Sequence, residues 1–192
     1  MKKLCLIVSL LCSVVLGANA QDYETPSDEL SVSWGLASGP MIADAFSSAL
    51  TGSTEYAMQT GTISAQYMHN LNKTLGIGVT ASFEGLSAKK TDTMKEDLSN
   101  NYVNIMPTAR AYWFRKSMFG MYSRAAAGVT INSFDYLNIQ DGKTKKDSKT
   151  EIGFAWQASP VGIEIGNNKV SGFLEGGFGY QGMVIAGVRF GL

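Results

Sequence analysis

From residue 30 to the end, this chain alternates apolar with small or polar side chains, segment after segment. A period of two is the signature of half-buried β-strands, and it excludes a helical fold. Leu30, Val32, Trp34 and Leu36 share one face, and Ser31, Ser33 and Gly35 the other. Ile63, Ala65 and Tyr67 oppose Thr60, Thr62, Ser64 and Gln66 within 58–68. Leu75, Ile77, Val79, Ala81 and Phe83 oppose Gly76, Gly78, Thr80, Ser82 and Glu84. The pattern recurs at 103–113, 119–131, 152–165, 171–180 and 184–192, which makes eight strands. At Ser159-Pro160 the parity changes, so that Val161, Ile163 and Ile165 become the apolar set. Proline cannot donate to a sheet ladder, and a β-bulge is expected there.

The connections alternate in length. Long ones are expected at 39–56, 87–100 and 135–149, and short ones at 70–73, 115–117 and 166–169, with a fourth outer connection, around Gln181-Gly182, that is short. Short turns at one end and longer loops at the other predict an antiparallel up-and-down barrel. Within the first loop, Met41, Ile42, Ala45, Phe46, Ala49 and Leu50 keep helical spacing behind Pro40, and a short helix is expected.

Residues 1–20 read as a secretory signal peptide. Lys2 and Lys3 precede an apolar stretch from Leu4 to Leu16, and Ala18-Asn19-Ala20 supplies a small-x-small cleavage site. The stretch is too short for a membrane anchor. Residues 21–192 then form the barrel domain. Cys5 and Cys12, the two cysteines, both fall in the leader, so the mature chain offers no disulfide and no thiolate metal site. Sixteen basic residues balance sixteen acidic ones; without Lys2 and Lys3 the balance is 14 against 16, or −2. A nucleic-acid protein would show a basic excess.

Two kinds of barrel alternate in this way. A soluble lipocalin-like barrel turns its apolar face inward and its charges out, whereas a membrane barrel does the reverse. The mature lysines are expected in connections or at their edges, at 73, 89, 90, 95, 116, 143, 145, 146, 149 and 169. The mid-strand cations are Arg110, Arg124 and Arg189, all on the Gly- and Thr-rich face, which suits a narrow lumen. Aromatics end the apolar face at two levels. Tyr67, Trp113, Phe119 and Phe190 lie near the short turns, and Phe83, Phe154, Trp156, Phe178 and Tyr180 toward the loops. Two aromatic girdles point to a membrane barrel.

Three segments carry a family likeness: Ile105-Met106-Pro107-Thr108-Ala109-Arg110-Ala111-Tyr112-Trp113-Phe114, Ser159-Pro160-Val161-Gly162-Ile163-Glu164 and Gly187-Val188-Arg189-Phe190. On these, residues 28–192 resemble the small eight-stranded outer-membrane β-barrels of Gram-negative bacteria, of OmpX/OmpA-like architecture. The resemblance implies the outer membrane as location and insertion by the barrel-assembly machinery, which reads an aromatic-rich last strand. Here that strand ends in Leu192, with Phe190 two residues earlier. It implies long loops outside, both termini in the periplasm, and no catalytic residues.

An outer-membrane lipid-modifying enzyme is the main alternative. His69 is the only histidine, and Ser64 and Ser82 on the flanking strands lie several residues from it, too far for a hydrogen-bonded triad. One histidine and scattered carboxylates (Glu96-Asp97, Asp141) give no metal site, and no cofactor is expected. Gly176–Gly182 lacks the Lys-Ser/Thr of a phosphate loop. Eight strands leave room only for side chains, which disfavours a channel. The expected function is structural or interactive: a monomeric barrel in contact with the lipid bilayer. Its charged loops, such as Lys89–Asp92 and Lys143–Asp147, could bridge lipopolysaccharide phosphates or meet an external protein. No nucleic-acid partner is expected. Counting from the short turns places Arg110, Arg124 and Glu175 five to seven residues up, with Arg189 and Glu164 about three up, all facing inward. Confined charges should pair, so these five are expected to form one polar network together with Tyr112 or Tyr122, while Glu84, higher, stays apart.

Overall fold

A computed structural model describes residues 25–42, 58–88, 98–116, 118–140 and 143–192. The leader segment, Ala45, Phe46, Ala49 and Leu50 of the expected helix, and Lys89, Lys90 and Lys95 lie outside the described residues. Eight antiparallel strands follow one another: β1 (Asp28–Leu36), β2 (Met58–Asn70), β3 (Leu75–Ala88), β4 (Leu98–Arg115), β5 (Phe119–Gln140), β6 (Lys143–Gly166), β7 (Val170–Gly179) and β8 (Val184–Gly191). Each pairs with the next, and β8 returns to β1 with Val32 opposite Val188, so the barrel is closed and up-and-down, the architecture expected. Closure leaves no sheet edge around the wall.

The alternation resolves into two faces of opposite character. Val32, Ile63, Val79, Val103, Ile105, Val129, Leu174 and Val188 are all exposed on the outer wall. Ser31, Thr62, Ser64, Gln66, Thr80, Ser82, Asn104, Thr108, Arg110, Arg124 and Glu175 are buried inside. This inverts a water-soluble barrel. A smaller apolar layer also lies inside, where Met106, Ala126 and Ala155 pack together under Tyr180. Tyr180 was expected in the outer girdle; instead β7 ends at Gly179, whose φ of 133° breaks the alternation and turns the next residue onto this layer.

Small side chains opposite large ones fill the lumen. Gly162 pairs with Tyr122, and a Cβ on Gly162 would lie 2.6 Å from the Tyr122 ring. Gly187 pairs with Phe173 in the same way, again with 2.6 Å to the ring.

The expected bulge lies at residues 159–160. Pairing shifts between Ala158 and Val161 on one side of β6 and between Tyr122 and Arg124 on the other, and the Ser123 hydroxyl donates to the Pro160 carbonyl at 2.6 Å. Two short turns close alike. Asn72 Oδ1 accepts from the backbone N–H of Thr74 and Leu75, and Asn167 Oδ1 from those of Lys169 and Val170. These are Asx turns, which favour asparagine at that position.

The far end differs from expectation in one large feature. Residues 135–140 and 143–149 are strand rather than loop: β5 and β6 stay paired up to Gln140 opposite Lys143. The β4 partner of β5 stops at Phe134, so the last six residues of β5 pair with β6 alone, in an arm roughly 20 Å long. Asp141-Gly142 between them is a strong two-residue hairpin signal. Lys143, Lys145, Lys146 and Lys149 thus stand on a strand rather than in a loop. At the same end, Gly39–Ile42 form a single helical turn.

Candidate functional site: a charged network in the lumen

The strand pattern carries every charged side chain of the network to the inner face. Arg110 on β4 and Arg124 on β5 stand directly opposite each other, an arrangement that repels. They diverge toward different carboxylates. Arg124 grips Glu175 on β7, with Nε 3.0 and 2.9 Å from its two oxygens and Nη2 2.5 Å from Oε2. The Tyr122 hydroxyl donates to the same carboxylate at 2.8 Å. Both partners are almost fully buried, with side-chain exposures of 2% and 1%.

Arg110 turns instead to Glu29 on β1, which also takes Arg115 at 3.2 Å and Arg189 at 3.4 Å. Asn70 joins them, donating to Glu29 at 2.8 Å. Arg189 further pairs with Glu164, donates to the Tyr112 hydroxyl at 2.9 Å, and reaches the Tyr122 hydroxyl at 3.3 Å. Glu164 accepts from Tyr112 and, at 2.6 Å, from Ser171. Arg110, Arg124, Glu164, Glu175 and Arg189 thereby stand in one connected set, joined through Tyr122 and Glu29. The rings contribute as well: the Arg115 guanidinium lies 4.0 Å from the Tyr112 centroid and that of Arg189 lies 4.8 Å from Phe173. Cations over aromatic faces are attracted by the ring quadrupole.

Glu29, Arg115 and Gln181 escaped the sequence reading, as did Asn70 and Ser171. Glu29 falls one residue before the first obvious apolar position, yet its parity with Ser31 already assigned it to the inner face. Arg115 lies at the β4 terminus and folds back under the barrel. Gln181, in the short β7–β8 connection, sends its side chain into the lumen, accepting from Arg124 at 2.7 Å and donating to Ser64 at 2.9 Å. No periodicity marks a turn residue of that kind.

Above this set, Glu84 is buried and accepts from Ser38 at 2.5 Å, at the level of the long connections. Between the two levels runs an uncharged layer, where Gln66 and Thr108 bond Thr80, and Asn104 bonds Ser82.

His69 sits on the other side of the wall. It faces outward at the short-turn end, with Nδ1 2.9 Å from Asp28. The Tyr67 hydroxyl also donates to Asp28, at 2.5 Å. Ser64 and Ser82 point into the lumen and His69 away from it, so these side chains do not converge. Among the described residues no cluster of three or more His, Cys, Asp or Glu side chains could hold a metal.

No family model and no curated protein matches the chain. Solved structures similar to it include the N-terminal β-barrel domain of Pseudomonas aeruginosa OprF, with 10% identity and a TM-score of 0.41 over 87% of this chain and 98% of that one. Ail, the attachment invasion locus protein of Yersinia pestis, in complex with the heparin analogue sucrose octasulfate, gives 10% identity and 0.46 over 86% and 95%. A second structure of Ail gives 14% and 0.40 over the same shares. The barrel itself rests on the strand pairing described above.

Proposed function

We propose that this chain is an integral outer-membrane protein of structural or interaction type: a plugged, non-enzymatic barrel with its short turns in the periplasm and its long connections outside. One observation carries the reading. The outer wall is a continuous apolar belt with Trp34, Trp113 and Trp156 among its exposed side chains, while arginines and glutamates are buried within. A soluble monomer rarely exposes more than a few hundred Å² of contiguous apolar surface, and a closed sheet satisfies its backbone without water.

The network supports a plug, because charged side chains of β1, β4, β5, β6, β7 and β8 meet across the lumen. The separation of His69 from Ser64 and Ser82 by the barrel wall supports a non-enzymatic reading over a lipid-modifying enzyme. At the opposite end, the β5–β6 arm stands beyond the wall and offers the surface best placed to meet lipopolysaccharide or an external protein. Cell fractionation tests the proposal. The protein is expected in the outer-membrane fraction, migrating faster unheated than boiled and giving no steady conductance in planar bilayers. Recovery from the soluble periplasm with unchanged mobility refutes it.

A further inference from the structure

The outer wall is not evenly covered. Its exposed positions mostly carry branched or aromatic side chains, Ile105 on β4 and Val129 on β5 among them. Toward the short turns from these two, β4 carries Pro107 and Ala109, and β5 carries Ala127 and Ala125. The four form the floor of a trough of about 690 Å³, flanked by Tyr67 of β2 and Ile77 of β3. His69 lines it as well.

The strand register sets the direction of the trough. His69 stands opposite Ile77, Ile77 opposite Ala109, and Ala109 opposite Ala125, one row across four strands. His69 is one residue from the end of β2 at Asn70, whereas Ala125 is six residues from the start of β5 at Phe119. The trough therefore climbs obliquely from the level of the short turns into the apolar belt, over about 14 Å for three strand spacings. Its lower end is charged. Asp28 accepts from the Tyr67 hydroxyl at 2.5 Å and lies 2.9 Å from His69 Nδ1, and its side chain is still 30% exposed.

An apolar hollow surrounded by hydrocarbon does not hold water, and lining atoms without a neighbour forfeit dispersion contacts. The carboxylate at its mouth attracts an ammonium group and repels an acidic headgroup. We propose that the trough binds one phosphatidylethanolamine molecule of the periplasmic leaflet. An acyl chain lies over Ala109, Ala125 and Ala127, close to the backbone because these side chains are small, and the headgroup ammonium donates to Asp28. A carboxylate has about four acceptor sites, so the ammonium adds to Tyr67 and His69 without displacing them. Lipopolysaccharide does not suit the site, since its phosphates would stand at the opposite end of the barrel. The inference rests on the membrane orientation proposed above.

Native mass spectrometry of the refolded full barrel in mild detergent tests it, with phosphatidylethanolamine, phosphatidylcholine and phosphatidylglycerol of matched chains as probes. Binding is expected to saturate at one phosphatidylethanolamine. The other two should bind at least about tenfold more weakly, the worth of a hydrogen bond to a charged group. Asp28→Asn is expected to erase this ranking. The double variant Ala125→Leu, Ala127→Leu fills the trough and should lose the saturable adduct, while Val188→Leu, elsewhere on the outer wall, should keep it. Faster migration of unheated than boiled samples verifies that each variant is folded. Equal binding of the three lipids by wild type, an adduct that survives in the filled variant, or a ranking unchanged by Asp28→Asn overturns the proposal. A dimer of wild type that dissociates in the filled variant assigns the trough to a second copy and also overturns it. Any of these results leaves an outer-membrane barrel standing, whereas recovery from the soluble periplasm refutes the membrane reading itself.

Discussion

Replacing Glu175 by glutamine probes the network where it is most deeply buried. The carboxylate accepts three hydrogen-bond contacts from Arg124 and one from Tyr122, and neither ion-pair partner is more than 2% exposed. Glutamine keeps the shape but removes the charge, and it turns an NH₂ group toward donors that need an acceptor. Breaking a buried pair from one side costs about 3–5 kcal/mol. Gln181 and Ser159 already reach Arg124 and soften the loss, which places the expectation at the low end, about 3 kcal/mol. The assay is reversible urea unfolding of the refolded barrel in lipid vesicles, followed by tryptophan emission. A cycle with Arg124→Met completes the measurement: the double variant should cost clearly less than the sum of the singles, because the remaining partner is no longer stranded. The exposed Lys149–Glu151 pair, at 2.6 Å, is the internal control, and Glu151→Gln should change stability by less than about 1 kcal/mol. If Glu175→Gln costs no more than the control, or if the cycle is additive, the plug is not a buried ion-pair network and the reasoning fails.

Further outcomes follow from the two faces. Val79→Arg places a charge on the outer wall and should cost about 2–4 kcal/mol of folding stability in bilayers, whereas Val79→Leu should be near neutral; equal stability of the two would remove the lipid contact. Thr80→Arg should also destabilise the barrel, because Thr80 is fully buried and bonded to Gln66 and Thr108 and the lumen lacks room for an arginine. Gly162→Val should displace the Tyr122 ring and cost about 1–3 kcal/mol by overpacking, read in the same urea assay; wild-type stability would deny the close contact. Lys145→Gln, on the arm beyond the barrel wall, should leave the unfolding midpoint unchanged.

Much of this architecture was legible because β-structure writes its two faces into the sequence at a fixed period. Once Leu30, Val79 and Val129 were assigned to one side, the inward placement of Arg110, Arg124 and Glu175 followed from parity, and Pro160 announced one of the places at which parity fails. Illegible parts lie where parity stops. Gln181 reaches the lumen from a turn, Arg115 folds back from a strand end, and Tyr180 changes side after the positive φ of Gly179. The β5–β6 arm was hidden for another reason. Polar residues at 143–149 resemble a solvated loop because, beyond the apolar belt, a strand is no longer required to alternate in hydrophobicity. Which arginine meets which glutamate was also unreadable, since Arg110 and Arg124 face each other and only their side-chain directions separate Glu29 from Glu175.

The tryptophans supply the most direct test of an inverted barrel. All three, Trp34, Trp113 and Trp156, stand on the outer wall with exposures of 45%, 56% and 43%. The refolded protein can be placed in vesicles of phospholipids brominated at chosen positions along the acyl chain, bromine being a short-range quencher. Single-tryptophan variants, with the other two replaced by phenylalanine, report each position separately. The account predicts strong quenching at all three sites by chain-borne bromine. A barrel with its apolar face turned inward would shield the same tryptophans, and emission unaffected by brominated lipid would contradict the central claim.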